Sequence, residues 1–185
     1  LLYMGRLCMK ENEAFLFIGK MPLFDDLLND VLSITPKDWL KYKERKKSGG
    51  VASYNTDTIP LMYDALHRLN SHQIHEAYAR FGKYVEEITI AVTEKLGLVV
   101  VQQAMLTRLK AGAAIPRHKD KGPLTAKTHR IHVPVVTNKD CIFKIEDEVK
   151  NMQPGEIWLI DNVNRYHSIE NKGITDRVHL IVDAI

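Results

Sequence analysis

Apolar and polar positions along this chain follow two rhythms, and the change falls near residue 97. Up to that point the spacing is mostly helical. Phe24–Leu32 carries Leu27, Leu28, Val31 and Leu32 at helical intervals. From His75 to Leu98, Tyr78, Phe81, Val85, Ile88, Val92 and Leu96 recur every three or four positions. That pattern predicts one face of a long amphipathic helix, ended by Gly97. The short apolar run Ala14–Ile18 predicts a strand. After Gly97 the period becomes two. Strands are predicted over 99–109, 129–137, 141–146, 156–161, 166–170 and 177–183. Turn residues separate them at Gly112, Asn138-Lys139-Asp140, Gln153-Pro154-Gly155 and Asn171-Lys172-Gly173. So many short strands predict a sandwich or barrel, with the long helix packed on the outer face of one sheet.

Composition narrows the function classes. A hydrophobic share of 45% and a charged share of 26% are ordinary for a globular domain. The net charge of +3 gives no argument for nucleic acid. No apolar run is long enough to span a bilayer, and Arg6 and Lys10 interrupt the first residues as a signal-peptide core. Cys8 and Cys141 are too few for a disulfide scaffold and suit a reducing cytoplasm, the expected location. The basic run from Lys41 to Gly50 reads as a solvated loop, with an acidic-substrate contact or a lid as the alternative. His72 and His75 stand three apart without a third ligand nearby, so they read as surface residues at a helix start.

The chemistry begins at His118-Lys119-Asp120. In an extended segment residues i and i+2 point to one side, so His118 and Asp120 can reach one metal. Alone this pair means little, since about one is expected by chance. His167, which follows the 156–161 strand, completes two histidines and a carboxylate. That set matches the facial triad of non-haem Fe(II) oxygenases, which leaves adjacent coordination positions open. Arg177 comes ten residues later on a strand whose 177, 179, 181 and 183 positions share a face and whose Val178, Leu180 and Val182 share the other. A guanidinium there needs an anion, either a dicarboxylate ligand or an Asp or Glu at a barrel rim. In HRIHVPVVTN, Arg130, His132 and Pro134 point toward the same region, whereas His129, out of phase, reads as a core or edge histidine.

The ordered segments GAAIPRHKD, THRIHVPVVTN, MQPGEIWLIDN and RYHSIENKGITDRVHLIVD resemble the aspartyl/asparaginyl β-hydroxylase family of Fe(II)- and 2-oxoglutarate-dependent dioxygenases, in particular its bacterial proline-hydroxylase-like branch. The resemblance covers about residues 104–183. It implies a mainly β fold with N-terminal helices, a double-stranded β-helix or cupin-like jelly roll. It implies one dioxygenase domain over 1–185, with a helix-rich part (1–97) and a β core that holds the metal (98–185). It implies Fe(II) held by His118, Asp120 and His167, and 2-oxoglutarate held by Arg177 with help from Arg130 and His132. With O2, the cosubstrate would become succinate and CO2 as an amino acid or amino-acid residue is hydroxylated. The animal peptidyl hydroxylases of the family have glycine where this chain has Asp120. That difference weakens transfer of their peptide substrates and argues against halogenation.

Two other readings stand beside this one: a cupin-type metal-binding protein without oxygenase activity, and a peptidyl Asp/Asn β-hydroxylase. A small amino acid or a peptide is the expected partner, with no nucleic acid and no membrane. The stretches 121–129 and 48–60 are candidate substrate anchors.

Overall fold

The computed structural model describes residues 13–41, 55–64, 73–98 and 100–185. Eleven strands form two antiparallel sheets among these residues. The large sheet joins β1 (Phe15–Lys20), β2 (Thr56–Tyr63), β3 (Gln73–Ile74), β4 (Val101–Leu109), β6 (His129–Val136), β9 (Glu156–Ile160) and β11 (Arg177–Ala184), in the order β1-β9-β6-β11-β4-β2-β3. The small sheet joins β5 (Ala114–His118), β7 (Cys141–Ile145), β8 (Glu148–Lys150) and β10 (His167–Asn171), in the order β5-β10-β7-β8. Two facing sheets with these crossovers make the expected jelly roll.

The period-two pattern decides what each face of the large sheet meets. Val178, Leu180 and Val182 lie on the same side as Ile131, Val133 and Val135, and they pack against helices. The helices are α1 (Phe24–Leu32) and the long α3 (Tyr78–Leu96), which inserts Phe81, Tyr84, Val85, Ile88 and Val92. Burying one such aliphatic side chain is worth about 1.5–3 kcal/mol, so this face anchors the sheet. Between the sheets, Phe15, Leu109 and Ile160 meet Ile115, Phe143, Ile145 and Ile169. The polar half of the inward face is left for chemistry.

The N-terminal part is less helical than its rhythm predicts. Strand β1 matches the strand expected over Ala14–Ile18, whereas β2 is not anticipated by the pattern; both join the large sheet, and a short α2 (Pro36–Lys41) lies between them in sequence. In β2 all eight positions are buried, so no alternation marks it, and Pro60 argues against a strand. The proline is tolerated because β3 pairs only with Met62 and Tyr63, so among the described residues one side of β2 has no ladder at Pro60. Pro116 sits in β5 for a like reason, at the edge of the small sheet. Helix α3 starts at Tyr78 rather than at His75, because the His75 amide donates to the Leu61 carbonyl at 2.9 Å and follows the edge of β2. The predicted stop is observed: Gly97 takes a left-handed φ of 72° and its amide caps the Thr93 carbonyl.

Lys41, at the end of α2, pairs with Glu76. Cys141 is a buried free thiol. Cys8, His72, residues 42–50 of the basic run and residues 48–54 of one proposed anchor lie outside the described residues. Among the described residues no helix is long and apolar enough to cross a membrane.

Candidate metal centre and its cavity

The last residue of β5 and the first of β10 are direct cross-strand partners, and these are His118 and His167. Their rings lie 4.2 Å apart. Two residues past the end of β5, the Asp120 amide donates to the Asn162 carbonyl at 2.9 Å, which turns the chain back toward β10. The Asp120 Oδ1 then lies 3.3 Å from His118 Nε2 and 3.9 Å from His167 Nε2. The donor atoms of the three residues fall within 4.8 Å of one another. His118 Nδ1 is 2.8 Å from the Pro116 carbonyl oxygen. A carbonyl only accepts, so Nδ1 carries the proton and Nε2 turns its lone pair inward. Two imidazole nitrogens and one carboxylate oxygen suit a divalent first-row metal.

The second oxygen of Asp120 is held elsewhere. Oδ2 accepts from Asn162 Nδ2 at 2.7 Å and from Arg130 Nη1. Burial alone raises the Asp120 pKa, but Arg130, His118, His167 and Asn162 outweigh it, so the carboxyl lies well below the usual carboxylate range. Asp120 is therefore an anion whose Oδ1 faces the histidines.

Arg177 is 2% exposed at the start of β11. Its Nη2 donates to His179 Nδ1 at 2.7 Å, while its Nε has no partner among the described residues. Among the described residues no carboxylate forms an ion pair with it. Burial accordingly pushes the guanidinium down to about 10, a large cost for so strong a base. Thr107 is the register partner of His179, and its buried hydroxyl also has no partner among the described residues. Both Arg177 and Thr107 line a cavity of about 70 Å³ that also holds His118, Asp120 and His167. Apolar Ile115, Phe143 and Ile169 form part of its wall.

His132 lines the same cavity. Its Nδ1 is 3.1 Å from His179 Nδ1, which already accepts from Arg177. A guanidinium only donates, so His179 Nδ1 is an acceptor, His132 Nδ1 is a donor, and His132 Nε2 is left with a lone pair. That Nε2 is buried without a partner among the described residues.

All six residues singled out from the sequence are thus brought to one region, though not all in the same way. Arg130 has Nε and Nη2 on Asp183 at 2.8 and 2.9 Å, and Nη1 on Asp120. Its contacts are with two carboxylates of the protein itself. His129 pairs in register with Ala184, on the helix-facing side of β6. His75 lies apart, with its ring Nε2 3.3 Å from the Tyr63 carbonyl. Sequence reasoning missed Asn162, Gln103 and Thr107. Only position 183, on the face it shares with Arg177, carried a signal.

The buried imidazoles set an acid limit for the metal-free protein. Burial pushes His167 down to about 4, against the pull of Asp120. Burial, with Arg177 next, holds His132 and His179 well below the usual histidine value. An unfolded histidine takes its proton near pH 6.5, so the stability from these three is present above that pH and lost as pH falls toward the folded values. His118 acts in the opposite sense. Its hydrogen bond to Asp120 raises it, so its contribution is present below about pH 6.5 and lost as pH rises. With three imidazoles lowered and one raised, the expected net result is a Tm that falls on acidification. His167 alone contributes a loss of about 2 kcal/mol between pH 7.5 and 5, or several degrees. Thermal melts of the metal-free protein across that range test this, and a flat or rising Tm contradicts it.

Comparison with known proteins places the chain. A family model described as aspartyl/asparaginyl β-hydroxylase matches residues 37–185, well beyond the segments that carry the resemblance in sequence. Among solved structures the chain is similar to an oxidoreductase of the 2OG-Fe(II) oxygenase family from Burkholderia pseudomallei, with 10% identity and a TM-score of 0.57. That match covers 70% of this chain and 65% of the other, just under two thirds of its length. A non-heme monooxygenase, the ThoJ–Ni complex, matches at 15% identity and a TM-score of 0.56, over 94% of this chain and 74% of that one. A prolyl hydroxylase from Trichoplax adhaerens, in complex with a hypoxia inducible factor peptide fragment, matches at 13% identity and a TM-score of 0.56, over 94% and 84%. At such identities the structural likeness is one of fold.

Proposed function

The chain belongs to the aspartyl/asparaginyl β-hydroxylase family, and from that premise we propose that it is an Fe(II)- and 2-oxoglutarate-dependent dioxygenase that hydroxylates an amino acid or an amino-acid residue. One observation carries the reading: a His-Asp-His cluster and a buried guanidinium that meets no carboxylate among the described residues line the same cavity. A cupin that bound metal alone has no use for the second feature.

His118 Nε2, His167 Nε2 and Asp120 Oδ1 would hold the iron, and all three residues line the cavity. Arg177, with the Thr107 hydroxyl lining the same cavity, would take the far carboxylate of 2-oxoglutarate, since a planar fork and a hydroxyl both donate to that anion. His132 lines the same cavity. When bound, iron and 2-oxoglutarate supply the oxidative chemistry, in which O2 is consumed, succinate and CO2 leave, and a substrate C–H bond becomes C–OH. The protein's part is to orient these groups and to keep water out with Ile115, Phe143 and Ile169. The N-terminal helices and the C-terminal strands act as one dioxygenase domain, because β1 and β2 belong to the sheet that carries Arg130 and Arg177.

The retained Asp120 favours a free amino acid or a small derivative over a peptide. A succinate-release screen against free amino acids and Asp- or Asn-containing peptides tests both halves of the proposal. Release with a free amino acid supports it, and release with the peptides alone moves the assignment to the peptidyl class. No release with any substrate, and no visible charge-transfer band on adding 2-oxoglutarate to the anaerobic Fe(II) protein, leaves the metal-binding cupin as the better reading.

A further inference from the structure

We infer that Asp183 is a positioning residue for the metal centre, acting through Arg130 on Asp120, with Gln103 holding Asp183 in turn. This rests on the metal-centre reading above.

Strand β11 lies between β4 and β6, and Asp183 is the register partner of Gln103 on one side and of Arg130 on the other. The three side chains form a row across three strands. Gln103 Nε2 donates to Asp183 Oδ2 at 2.8 Å. Arg130 grips the same carboxylate with two nitrogens, Nε to Oδ1 at 2.8 Å and Nη2 to Oδ2 at 2.9 Å. The row ends where Arg130 Nη1 donates to Asp120 Oδ2. Asp183 is 1% exposed and Gln103 is 2% exposed.

A carboxylate so deeply buried is costly unless its partners are well placed. Here the partner is an arginine that has a second task. The two-point grip of Asp183 fixes the plane of the guanidinium, so the remaining Nη1 meets Asp120 at one defined place. Together with Asn162 it occupies Oδ2 and leaves only Oδ1 turned to the two histidines. The effect is a carboxylate that offers a metal one oxygen, not two, and keeps the neighbouring coordination positions open. Charge works in the same direction. Two carboxylates and one guanidinium sum to −1 beside the metal position. Without the charge on Asp183, the whole positive charge of Arg130 would act on Asp120 and oppose a cation there.

The test is an anaerobic Co(II) titration of metal-free protein, followed by visible absorption, on the wild type and on Asp183→Asn, with the metal-free Tm measured for each. The expected result is a 10–100-fold rise in the apparent Kd for Co(II), the range for loss of an outer partner of a metal ligand, with a changed band shape. A folded Asp183→Asn protein with the wild-type Kd and spectrum overturns the inference, because a residue that only supports the fold would move the Tm alone. If Asp183→Asn does not fold, Gln103→Met decides. It removes the outer hydrogen bond and keeps the ion pair, so a rise of a few-fold supports the chain of contacts and an unchanged Kd overturns it. A wild-type protein that takes up no Co(II) removes the metal centre itself, and the inference falls with it.

Discussion

Asp120→Ala is expected to give a folded protein that retains little iron and releases succinate at least about 100-fold more slowly than the wild type. Among the described residues the Oδ1 atom is the one anionic donor facing the two Nε2 atoms, at 3.3 and 3.9 Å. Without it two neutral imidazoles must hold a dication. Loss of an outer partner alone costs about 10–100-fold in metal affinity or activity, and loss of an anionic ligand should cost more. The fold should survive because the chain does not depend on Asp120 to place its neighbours. His118 and His167 are already paired across β5 and β10, and Arg130 keeps its two-point contact with Asp183. Iron content after anaerobic loading, far-UV circular dichroism and succinate release give the three readings. Undiminished hydroxylation by a variant with native dichroism would show that two histidines suffice in this chain.

The second large effect is on the cosubstrate. Arg177→Met is expected to raise the apparent KM for 2-oxoglutarate by about two to four powers of ten, with iron uptake nearly unchanged. The guanidinium is buried, donates to His179 and has no carboxylate partner among the described residues, so its charge is free to meet an incoming one. Losing one member of a buried ion pair costs on the order of 3–5 kcal/mol, which converts to that range of affinity. Methionine fills similar space without charge, and no metal ligand is touched. Arg177→Lys should fall between, because an ammonium offers a point charge where the carboxylate meets a planar fork. Titrating succinate release with 2-oxoglutarate for the three proteins, with iron content checked in each, separates binding from metal loss. Three superimposable curves would make Arg177 a structural residue of the sheet and place the cosubstrate elsewhere.

Much of the centre was legible because it obeys local rules. The i, i+2 spacing of His118 and Asp120 places both on one side of an extended segment, whatever the rest of the chain does. The same alternation put Arg177 and position 183 on one face of β11 and Arg130 and His132 on one face of β6, and both faces turn inward. The helical period found α3, and Gly97 marked its end because a left-handed residue there suits glycine. Where the local signal was weak, the reading failed. Strand β2 has no exposed face, and β5 contains a proline that only an edge position tolerates.

What the sequence determined by itself, then, was the rhythm of the elements and which side chains share a face. The tertiary structure alone decided which faces meet. His118 and His167 are 49 positions apart and become partners only because β10 pairs with β5 in one register. A slip of one residue would turn every side chain of β10 to the other face. The alternation also cannot say that Arg130 spends its nitrogens on Asp183 and Asp120 while Arg177 meets no carboxylate among the described residues. Both are arginines on inward faces of adjacent strands. The difference between them is set by which carboxylate the packed sheets bring within about 3 Å, a distance that non-local packing controls and local pattern does not.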